Sequence, residues 1–295
     1  MSVISVKNLT QRYGNGRLIY RGLDFEVSQG RIMGLLGKNG TGKTTTINIL
    51  MGFLKPQAGE CRIFDEDITR LSPKQRSRIA LLLEGHVQYA FMTIRQIEKF
   101  YSRFYPAWNR DAYYELMGKL HVNDNQRISS MSCGQRSQVA LGLILAQNAD
   151  LLVLDDFSLG LDPGYRRLFI DYLRDFVKSE NKTVFMTSHI IQDLERLIDD
   201  CIILDYGKIL TQKPVGELMQ EFKCFRFNDL SDNPIELKSG DIINPWRHNG
   251  EVELYTFRDE TFVYNYLKEK GVKFDRLKNQ PLSLEDVFIG LTGKY

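Results

Sequence analysis

The sequence predicts an α/β fold with a mostly parallel central sheet. Short continuous apolar runs alternate with segments of helical periodicity, at Ile79–Leu83, Leu151–Leu154, Thr183–Met186 and Cys201–Leu204. Such runs are typical of parallel strands whose two faces are both covered by helices. Ahead of them, residues 3–36 alternate strand-like runs with polar turns, which indicates a β-rich N-terminal part. A glycine-rich loop then joins the apolar run Arg31–Leu36 to an apolar helix pattern over Lys43–Leu54.

The glycine-rich loop, residues 37–44, reads GKNGTGKT and matches the phosphate-loop pattern G-x-x-x-x-G-K-[ST]. Its glycines let backbone N–H groups turn inward around phosphates, and the following helix offers its N-terminal amides and positive dipole end. Lys43 is expected to reach the outer phosphates, and the Thr44 hydroxyl to hold Mg²⁺. The loop therefore predicts binding of a nucleoside triphosphate.

The pattern of apolar and polar residues changes twice along the rest of the chain. Residues 93–149 contain no comparable strand run, so we expect a helical insertion, with a helical subdomain over about 87–149. Its aromatic-rich stretch, residues 100–108, is explained by helix packing or, alternatively, by a docking surface. Past Glu221, prolines stand among short alternating runs. We therefore expect a triphosphate-binding domain over 1–221 and a small α+β domain over 222–295.

Composition and charge argue against a nucleic-acid-binding, a membrane-spanning and a secreted protein. The formal net charge of +2 is too small to predict a nucleic-acid partner. No apolar stretch is long enough to span a bilayer, and the N-terminus lacks the pattern of a secretory signal. Four scattered cysteines without paired spacing fit reduced thiols better than disulfides or zinc. We expect a cytoplasmic protein unless a partner takes it to a membrane.

Two further segments narrow the class of triphosphate-binding protein. The apolar run Leu151–Leu154 ends in Asp155, which a buried strand would place beside the phosphate loop, where the carboxylate can bind Mg²⁺ through water. Upstream, residues 130–136 read SMSCGQR and precede an apolar helix pattern. Ser132 with Gln135 three positions later is a capping-box arrangement, which predicts a helix start there.

With these motifs the chain resembles, over residues 3 to roughly 220, the nucleotide-binding subunits of ATP-binding cassette (ABC) transporters. Their signature, Leu-Ser-Gly-Gly-Gln, stands where this chain has residues 131–135. The C-terminal run Pro281–Phe288 resembles the ending of exporter-type subunits, which work with separate membrane proteins. The resemblance implies the ABC-ATPase version of the phosphate-loop fold, with ATP and Mg²⁺ as cofactors.

The resemblance also implies roles for individual residues. Tyr13 lies at the adenine-stacking position, and the ATP-binding residues would be Tyr13, Gly37, Lys38, Asn39, Gly40, Thr41, Gly42, Lys43, Thr44 and Thr45. The signature residues Ser132, Cys133, Gly134 and Gln135 would contact ATP held by a partner chain. Asp162 lies in a loop at the dimer interface. Metal binding would involve Thr44, Glu84 and Asp155, and catalysis Asp156, His189 and Glu84.

Three positions depart from the usual cassette. Asp156 stands where the family commonly has Glu, the general base that polarises the attacking water. Its carboxylate is set back by roughly 1.5 Å, and a misplacement on the order of 1 Å can cost about 10²-fold in rate. Cys133 replaces a glycine and would crowd the partner's phosphate. Glu84 replaces a common Gln, a change that also occurs in exporter-type members.

The leading expectation is an ATP-binding subunit that dimerises on ATP and couples binding and hydrolysis to export through membrane-spanning permease subunits. Such a protein would be cytoplasmic, held at the inner face of the cell membrane by its partners, as a homodimer or a heterodimer with a second ATP-binding subunit. One alternative is a degenerate regulatory subunit with little hydrolysis, given Asp156 and Cys133. Another is a cassette protein without a transport role, although the chain has one phosphate loop and no extended heptads.

Overall fold

The computed structural model describes residues 1–14, 16–83, 89–119, 122–157, 161–188, 190–231 and 233–294. They form two compact units, Met1–Gln212 and Lys213–Tyr295. The elements follow in the order β1 (Ser2–Tyr13), β2 (Arg17–Ser28), β3 (Ile32–Gly37), α1 (Lys43–Leu50), β4 (Ala58–Ile63), β5 (Glu66–Asp67), α2 (Pro73–Arg76), β6 (Ile79–Leu82), α3 (Ile94–Tyr101), α4 (Arg110–Lys119), a 3₁₀ turn (Ile128–Ser130), α5 (Cys133–Ala146), β7 (Leu151–Leu154), α6 (Pro163–Glu180), β8 (Thr183–Thr187), α7 (Ile191–Leu197), β9 (Asp200–Asp205), β10 (Lys208–Pro214), α8 (Val215–Glu221), β11 (Lys223–Asp229), β12 (Ile243–His248), β13 (Glu251–Thr256), α9 (Glu260–Glu269), β14 (Phe274–Gln280) and α10 (Leu284–Thr292). Across the described residues, every helix is too short or too polar to cross a lipid bilayer.

The central sheet of the first unit has the order β10-β9-β3-β8-β7-β6, with parallel pairing from β9 through β6. Every residue of β7 and β8 is buried, which explains why these strands are continuous apolar runs instead of alternating ones. A second, antiparallel sheet, β2-β1-β4-β5, forms the β-rich N-terminal part. Phe25 of β2 stacks on Phe185 of β8 at 5.7 Å between ring centroids, so both sheets contribute to one core. The predicted α/β fold with a mostly parallel sheet is confirmed.

The helical insertion is also confirmed. Between Thr93 and Ala149 the described residues form α3, α4, the 3₁₀ turn and α5, and their only strand-type pairing is one isolated bridge between Thr93 and Arg127. The buried Tyr113 of α4 donates a hydrogen bond to the Ile94 carbonyl at 3.2 Å and so joins α4 to α3.

The second unit is an α+β domain with its own core. Its antiparallel sheet has the order β12-β13-β11-β14 and packs against α9. The core residues are Phe225, Phe227, Leu237, Ile242, Val252, Leu254, Val263, Leu267 and Val272. The division between units falls after Gln212, ahead of the boundary near 222 that the sequence suggested. The reason is that α8 packs against α10 and therefore groups with the second unit.

Candidate nucleotide-binding site

The phosphate loop lies between β3 and α1, as its pattern requires. Two of its glycines have no room for a side chain. A Cβ at Gly42, whose φ is 105°, would approach Ile19 Cγ2 at 2.5 Å and Tyr20 Cε1 at 2.8 Å. At Gly37 it would approach Thr41 Oγ1 at 2.5 Å and the Leu204 carbonyl oxygen at 2.8 Å. Close packing beneath the loop therefore requires glycine at both positions, and the positive φ of Gly42 favours it further.

Side chains of the loop stabilise its curvature from within. The Thr41 hydroxyl donates to the Lys38 carbonyl at 2.8 Å. The Lys43 ammonium donates to the carbonyls of Gly37, at 2.7 Å, and Lys38, at 3.2 Å. Burial lowers the pKa of Lys43, while the charges of Asp156 and Asp155 act in the opposite direction. The Lys43 ammonium thus lies against a loop whose geometry suits phosphate.

Asn39 and Gly40 form the exposed tip of this loop, and Thr45 lies buried on the first turn of α1. The Tyr13 hydroxyl lies 3.2 Å from Thr45 Oγ1, so the end of β1 is tied to the start of α1. Tyr13 is 47 % exposed. An exposed ring anchored by its hydroxyl beside the phosphate loop is suited to stacking on a nucleotide base.

The ends of three neighbouring strands bring the other polar groups together. β8 lies between β3 and β7 in the sheet, and Asp155 directly follows β7. Its Oδ1 accepts hydrogen bonds from the hydroxyls of Thr187, at 2.7 Å, and Thr44, at 3.4 Å. Its Oδ2 is buried without a hydrogen-bond partner among the described residues. Carboxylate and hydroxyl oxygens are ligands that suit Mg²⁺, and a buried oxygen without a partner fits a bound cation. The chemistry of Asp155 and Thr44 therefore fits the expected metal.

Asp156 occupies a turn with φ of 47°, in the left-handed region that Asp tolerates better than most residues. Its backbone N–H donates to the Thr187 hydroxyl at 3.0 Å. Thr187 thus contacts both consecutive aspartates, a role that the sequence did not reveal. The available signal was a hydroxyl residue at the end of a buried strand beside the Asp155 strand.

The predicted helix start at the signature is confirmed. Ser132 caps α5: its hydroxyl accepts from the Gln135 N–H at 3.2 Å, and Gln135 Oε1 accepts from the Ser132 N–H at 3.0 Å. The next residue, Cys133, is exposed, while Gly134 is half-buried. The 14-residue helix therefore presents its first turn to solvent, and a helix N-terminus is favourable for anions.

Asp162 caps α6 in the same manner, because its carboxylate accepts from the N–H groups of Gly164, at 3.0 Å, and Tyr165, at 3.1 Å. Its predicted position in a dimer loop stays a prediction. Glu84 and His189 lie outside the described residues, so their roles also stay predictions.

A phosphate loop between a central parallel strand and a helix, with a buried Asp at the end of a nearby strand, defines a phosphate-loop nucleotide-binding protein. Comparison with known proteins shows which family the chain is similar to. Residues 20–158 match the family model described as ABC transporter. Over these residues the chain is similar to the ATP-binding domain of ABC transporters.

Curated relatives align over nearly their whole length. The chain is 29 % identical over 301 residues to the Nod factor export ATP-binding protein I of Paraburkholderia xenovorans, covering 99 % of this chain and 98 % of the relative. It is 28 % identical over 301 residues to the bacitracin transport ATP-binding protein BcrA of Bacillus licheniformis, with the same coverage of both chains.

Solved structures agree in fold. An ATP-binding subunit of an ABC transporter superposes with a TM-score of 0.66 at 22 % identity, covering 74 % of this chain and 92 % of that one. A dimeric ATP-binding cassette bound to ADP and Pi gives a TM-score of 0.62 at 20 % identity, covering 72 % of this chain and 98 % of that one. The observed fold is therefore that of ABC ATPase domains.

Proposed function

We propose that the chain is the ATP-binding subunit of an export transporter and that it couples ATP binding and hydrolysis to movements of separate membrane subunits. The observation that carries this proposal is the convergence of Lys43, Thr44 and Asp155 where three neighbouring parallel strands end. Two relatives that align over nearly their whole length are named as ATP-binding proteins of export or transport systems, which supports the export role.

In this proposal the phosphate loop holds the triphosphate. Lys43 neutralises the outer phosphates, and Thr44 with Asp155 would hold Mg²⁺, which supplies charge neutralisation at the phosphates when bound. The nucleotide base would stack on Tyr13. Ser132 to Gln135 of a second chain would close the site from the other side, so that the ATP-bound form is a dimer.

Binding of a fluorescent ATP analogue in the presence of Mg²⁺ tests this site. Lys43→Ala should weaken binding by at least tenfold, since a charge-assisted contact is worth roughly 1.5–3 kcal/mol. Lys7→Ala, a change at an exposed lysine of β1, is the control and should leave binding unchanged. Equal affinities of the two variants would contradict the proposal.

We further propose that hydrolysis is slow because Asp156 acts as a shortened general base. Asp156 is fixed by its left-handed backbone and by its N–H bond to Thr187, which itself bonds Asp155. A turn held in this way cannot easily advance the carboxylate to replace the missing methylene. Similarity to ABC ATPases supports ATP hydrolysis in general. The proposed reduction in rate depends on Asp156 alone.

Turnover of the purified chain, measured alongside Asp156→Glu and Asp156→Asn, tests the rate proposal. Glu should raise the rate by about 10-fold to 10²-fold, because it restores the reach of the carboxylate. Asn should lower the rate, because it removes the base while keeping the shape. No rise with Glu together with no fall with Asn would remove Asp156 from the chemistry.

A second candidate is a regulatory ATP-binding subunit with negligible hydrolysis. Two observations favour it: Asp156, and the exposed Cys133 at the first turn of α5, where a sulfur would crowd the phosphate of a partner chain. Mixing experiments distinguish the candidates. A regulatory subunit would show no turnover alone and would raise turnover when paired with another ATP-binding subunit, whereas the leading function predicts turnover and ATP-driven dimerisation of this chain alone.

Membrane subunits would dock at the edge of the central sheet. There an open groove of about 330 Å³ lies between β6 and α5, lined by Leu81, Leu83, Tyr101, Tyr105 and Leu143 among others. An apolar groove of this kind can receive a helix of another protein. Co-purification with a multi-spanning membrane protein, lost on Leu83→Asp, at a groove residue that is 38 % exposed, and kept on Lys7→Asp, would support docking at this groove.

A further inference from the structure

In the second unit, the ammonium group of Lys294 lies between a carboxylate and an aromatic ring. Lys294 follows α10 and Gly293. Its Nζ donates a hydrogen bond to Glu253 Oε2 at 2.8 Å and lies 3.7 Å from the centroid of the Trp246 ring. Trp246 of β12 and Glu253 of β13 are directly opposite each other in the sheet, so their side chains share one face. Two neighbouring strands thus supply both groups that contact this ammonium.

Groups other than Lys294 hold the carboxylate and the ring in place. The second carboxylate oxygen, Oε1, accepts a hydrogen bond from the Tyr255 hydroxyl at 2.8 Å and one from the Cys224 thiol at 3.6 Å. Both donors are buried. The Trp246 ring stacks on His248 with 5.2 Å between centroids and an interplanar angle of 15°. We therefore expect the carboxylate and the ring to keep their positions when the Lys294 side chain is removed.

Glu253 needs a cation at this position. Its side chain is only 13 % exposed, and an ionised carboxylate loses hydration on such burial. Arg226, its neighbour across β11 and β13, lies 3.8 Å from Glu251 instead. Burial acts to raise the pKa of Glu253, but hydrogen bonds from Lys294 and Tyr255 outweigh it, so the pKa lies below its ordinary value. The carboxylate is therefore charged at neutral pH and attracts a group that carries both a positive charge and N–H donors.

We propose that Trp246 and Glu253 form a binding site for a primary alkylammonium, which Lys294 occupies in this structure and which a free ligand takes in exchange. Solvent reaches the site, because Trp246 is 39 % exposed and the Lys294 side chain 37 %. The ligand class follows from the two contacts: the face of a tryptophan attracts a cation, and the free carboxylate oxygen accepts a charge-assisted N–H bond. Diamines and the lysine side chains of peptides carry such a group. The site is independent of the proposed ATP chemistry.

Ligand-observed NMR titration of the purified full chain tests this site, with cadaverine as the diamine and N-acetyl-lysine amide as the peptide analogue. Lys294→Ala vacates the site, so we expect this variant to bind an amine saturably. The unaltered chain should bind the same amine at least tenfold more weakly, because a tethered group competes at an effective concentration in the millimolar range. Tighter binding of cadaverine would identify diamines as the ligand, and tighter binding of the lysine amide would identify peptides.

Two further substitutions, each combined with Lys294→Ala, test the two contacts separately. Glu253→Gln should weaken cadaverine binding at least tenfold, because it removes the charge while its amide oxygen can still accept from Tyr255. Trp246→Leu should weaken binding several-fold, because it removes the ring face. The neutral analogue 1,5-pentanediol should not bind to any of these proteins.

Lys268 supplies the matched control in the same unit. Its ammonium lies 4.6 Å from the centroid of the Tyr264 ring, but it forms no ion pair with any residue that the structure describes. Lys268→Ala should therefore bind cadaverine no better than the unaltered chain does.

Three results would each overturn the proposal: no amine binding by a folded Lys294→Ala, equal binding of cadaverine and 1,5-pentanediol, or equal cadaverine binding with and without Glu253→Gln. Urea unfolding shows whether each variant is folded. If Lys294→Ala does not fold, the unaltered chain and Glu253→Gln are compared at tenfold higher cadaverine, and equal binding again overturns the proposal. All folded variants should bind the ATP analogue normally, so failure here leaves the proposed nucleotide site untouched.

Discussion

Gly42 shows how one residue links packing to ligand binding. Its positive φ and the 2.5 Å approach to Ile19 mean that Gly42→Ala must both strain the backbone and displace a β2 side chain. We expect a loss of about 1–3 kcal/mol in the free energy of unfolding and a marked loss of affinity for ATP, because the N–H groups of the loop would be reoriented. Urea unfolding and titration with a fluorescent ATP analogue measure the two effects.

Gly118 supplies the matched control. It is an exposed position of α4 where an added Cβ would meet nothing within 4 Å. Gly118→Ala should therefore stabilise the chain by roughly 0.5–1 kcal/mol, since alanine is the better helix former. Similar effects of the two substitutions would show that Gly42 is not sterically constrained.

At this scale the motif residues could be predicted and Thr187 could not. Lys43, Thr44 and Ser132 belong to short patterns in which spacing alone fixes local geometry. Thr187 contributes through pairing of β8 with β7, a relation between distant segments that has no local pattern. The same limit applies to Tyr20, which lies beneath Gly42 and comes from β2.

Among the elements, α5 depends most visibly on its first residues. Ser132→Ala removes the hydroxyl that accepts from the Gln135 N–H, and should lower the free energy of unfolding by about 1 kcal/mol. Ser132→Asp should keep most of that stability, because a carboxylate also caps a helix. The urea midpoints of the two variants provide the measurement.

Ser129 is the control for this change, because it is exposed one turn earlier and its hydroxyl makes no cap. Ser129→Ala should shift the midpoint little. If Ser132→Ala behaved like Ser129→Ala, the capping box would contribute nothing to the stability of α5.

Strands could be predicted from the sequence where both of their faces are buried. The runs at β7 and β8 translate directly into strands, because both faces of the central sheet are covered. The predicted end of α1 was wrong. The apolar pattern extends to Leu54, but the helix ends at Leu50, and Gly52 has a φ of 75°. A left-handed glycine after the last helical turn overrides apolar periodicity.

The stability of the whole molecule should fall in alkaline solution because buried thiols occur in both units. Burial raises the pKa of Cys61, Cys201 and Cys224 from an ordinary value of 9.0 to about 12. Below pH 9 the thiols are protonated in the folded and the unfolded chain alike. Between pH 9 and 12 the unfolded chain loses these protons first, so the free energy of unfolding falls as pH rises.

Urea unfolding at several values between pH 8 and 11 measures this slope, to which one thiol contributes at most about 1.4 kcal/mol per pH unit. Cys201→Ala should make the slope shallower, whatever its effect at pH 8. Cys133→Ala, at the exposed cysteine, should leave the slope unchanged. Identical slopes for all three proteins would show that the buried thiols do not control alkaline stability.

The sequence indicates two units because the pattern of apolar and polar residues changes past Glu221. Short alternating runs with prolines predict the α+β character of the second unit. The boundary was harder to place. The helix α8 has no local feature that assigns it to one unit, and its assignment depends on packing against α10, which lies far along the chain. Sequence texture identifies a domain more readily than it identifies the residue at which the domain begins.

The hydroxyl of Thr187 also bears on how this site can change during evolution. One oxygen donates to Asp155 and accepts from the N–H of Asp156, so the carboxylates that we propose for metal binding and for water activation are both held by the same hydroxyl. Substitutions at Thr187 and Asp156 should therefore be non-additive, with the benefit of Asp156→Glu depending on the residue at 187. If Asp156 is the general base that we propose, a change back to Glu should restore the rate readily only while this threonine is kept.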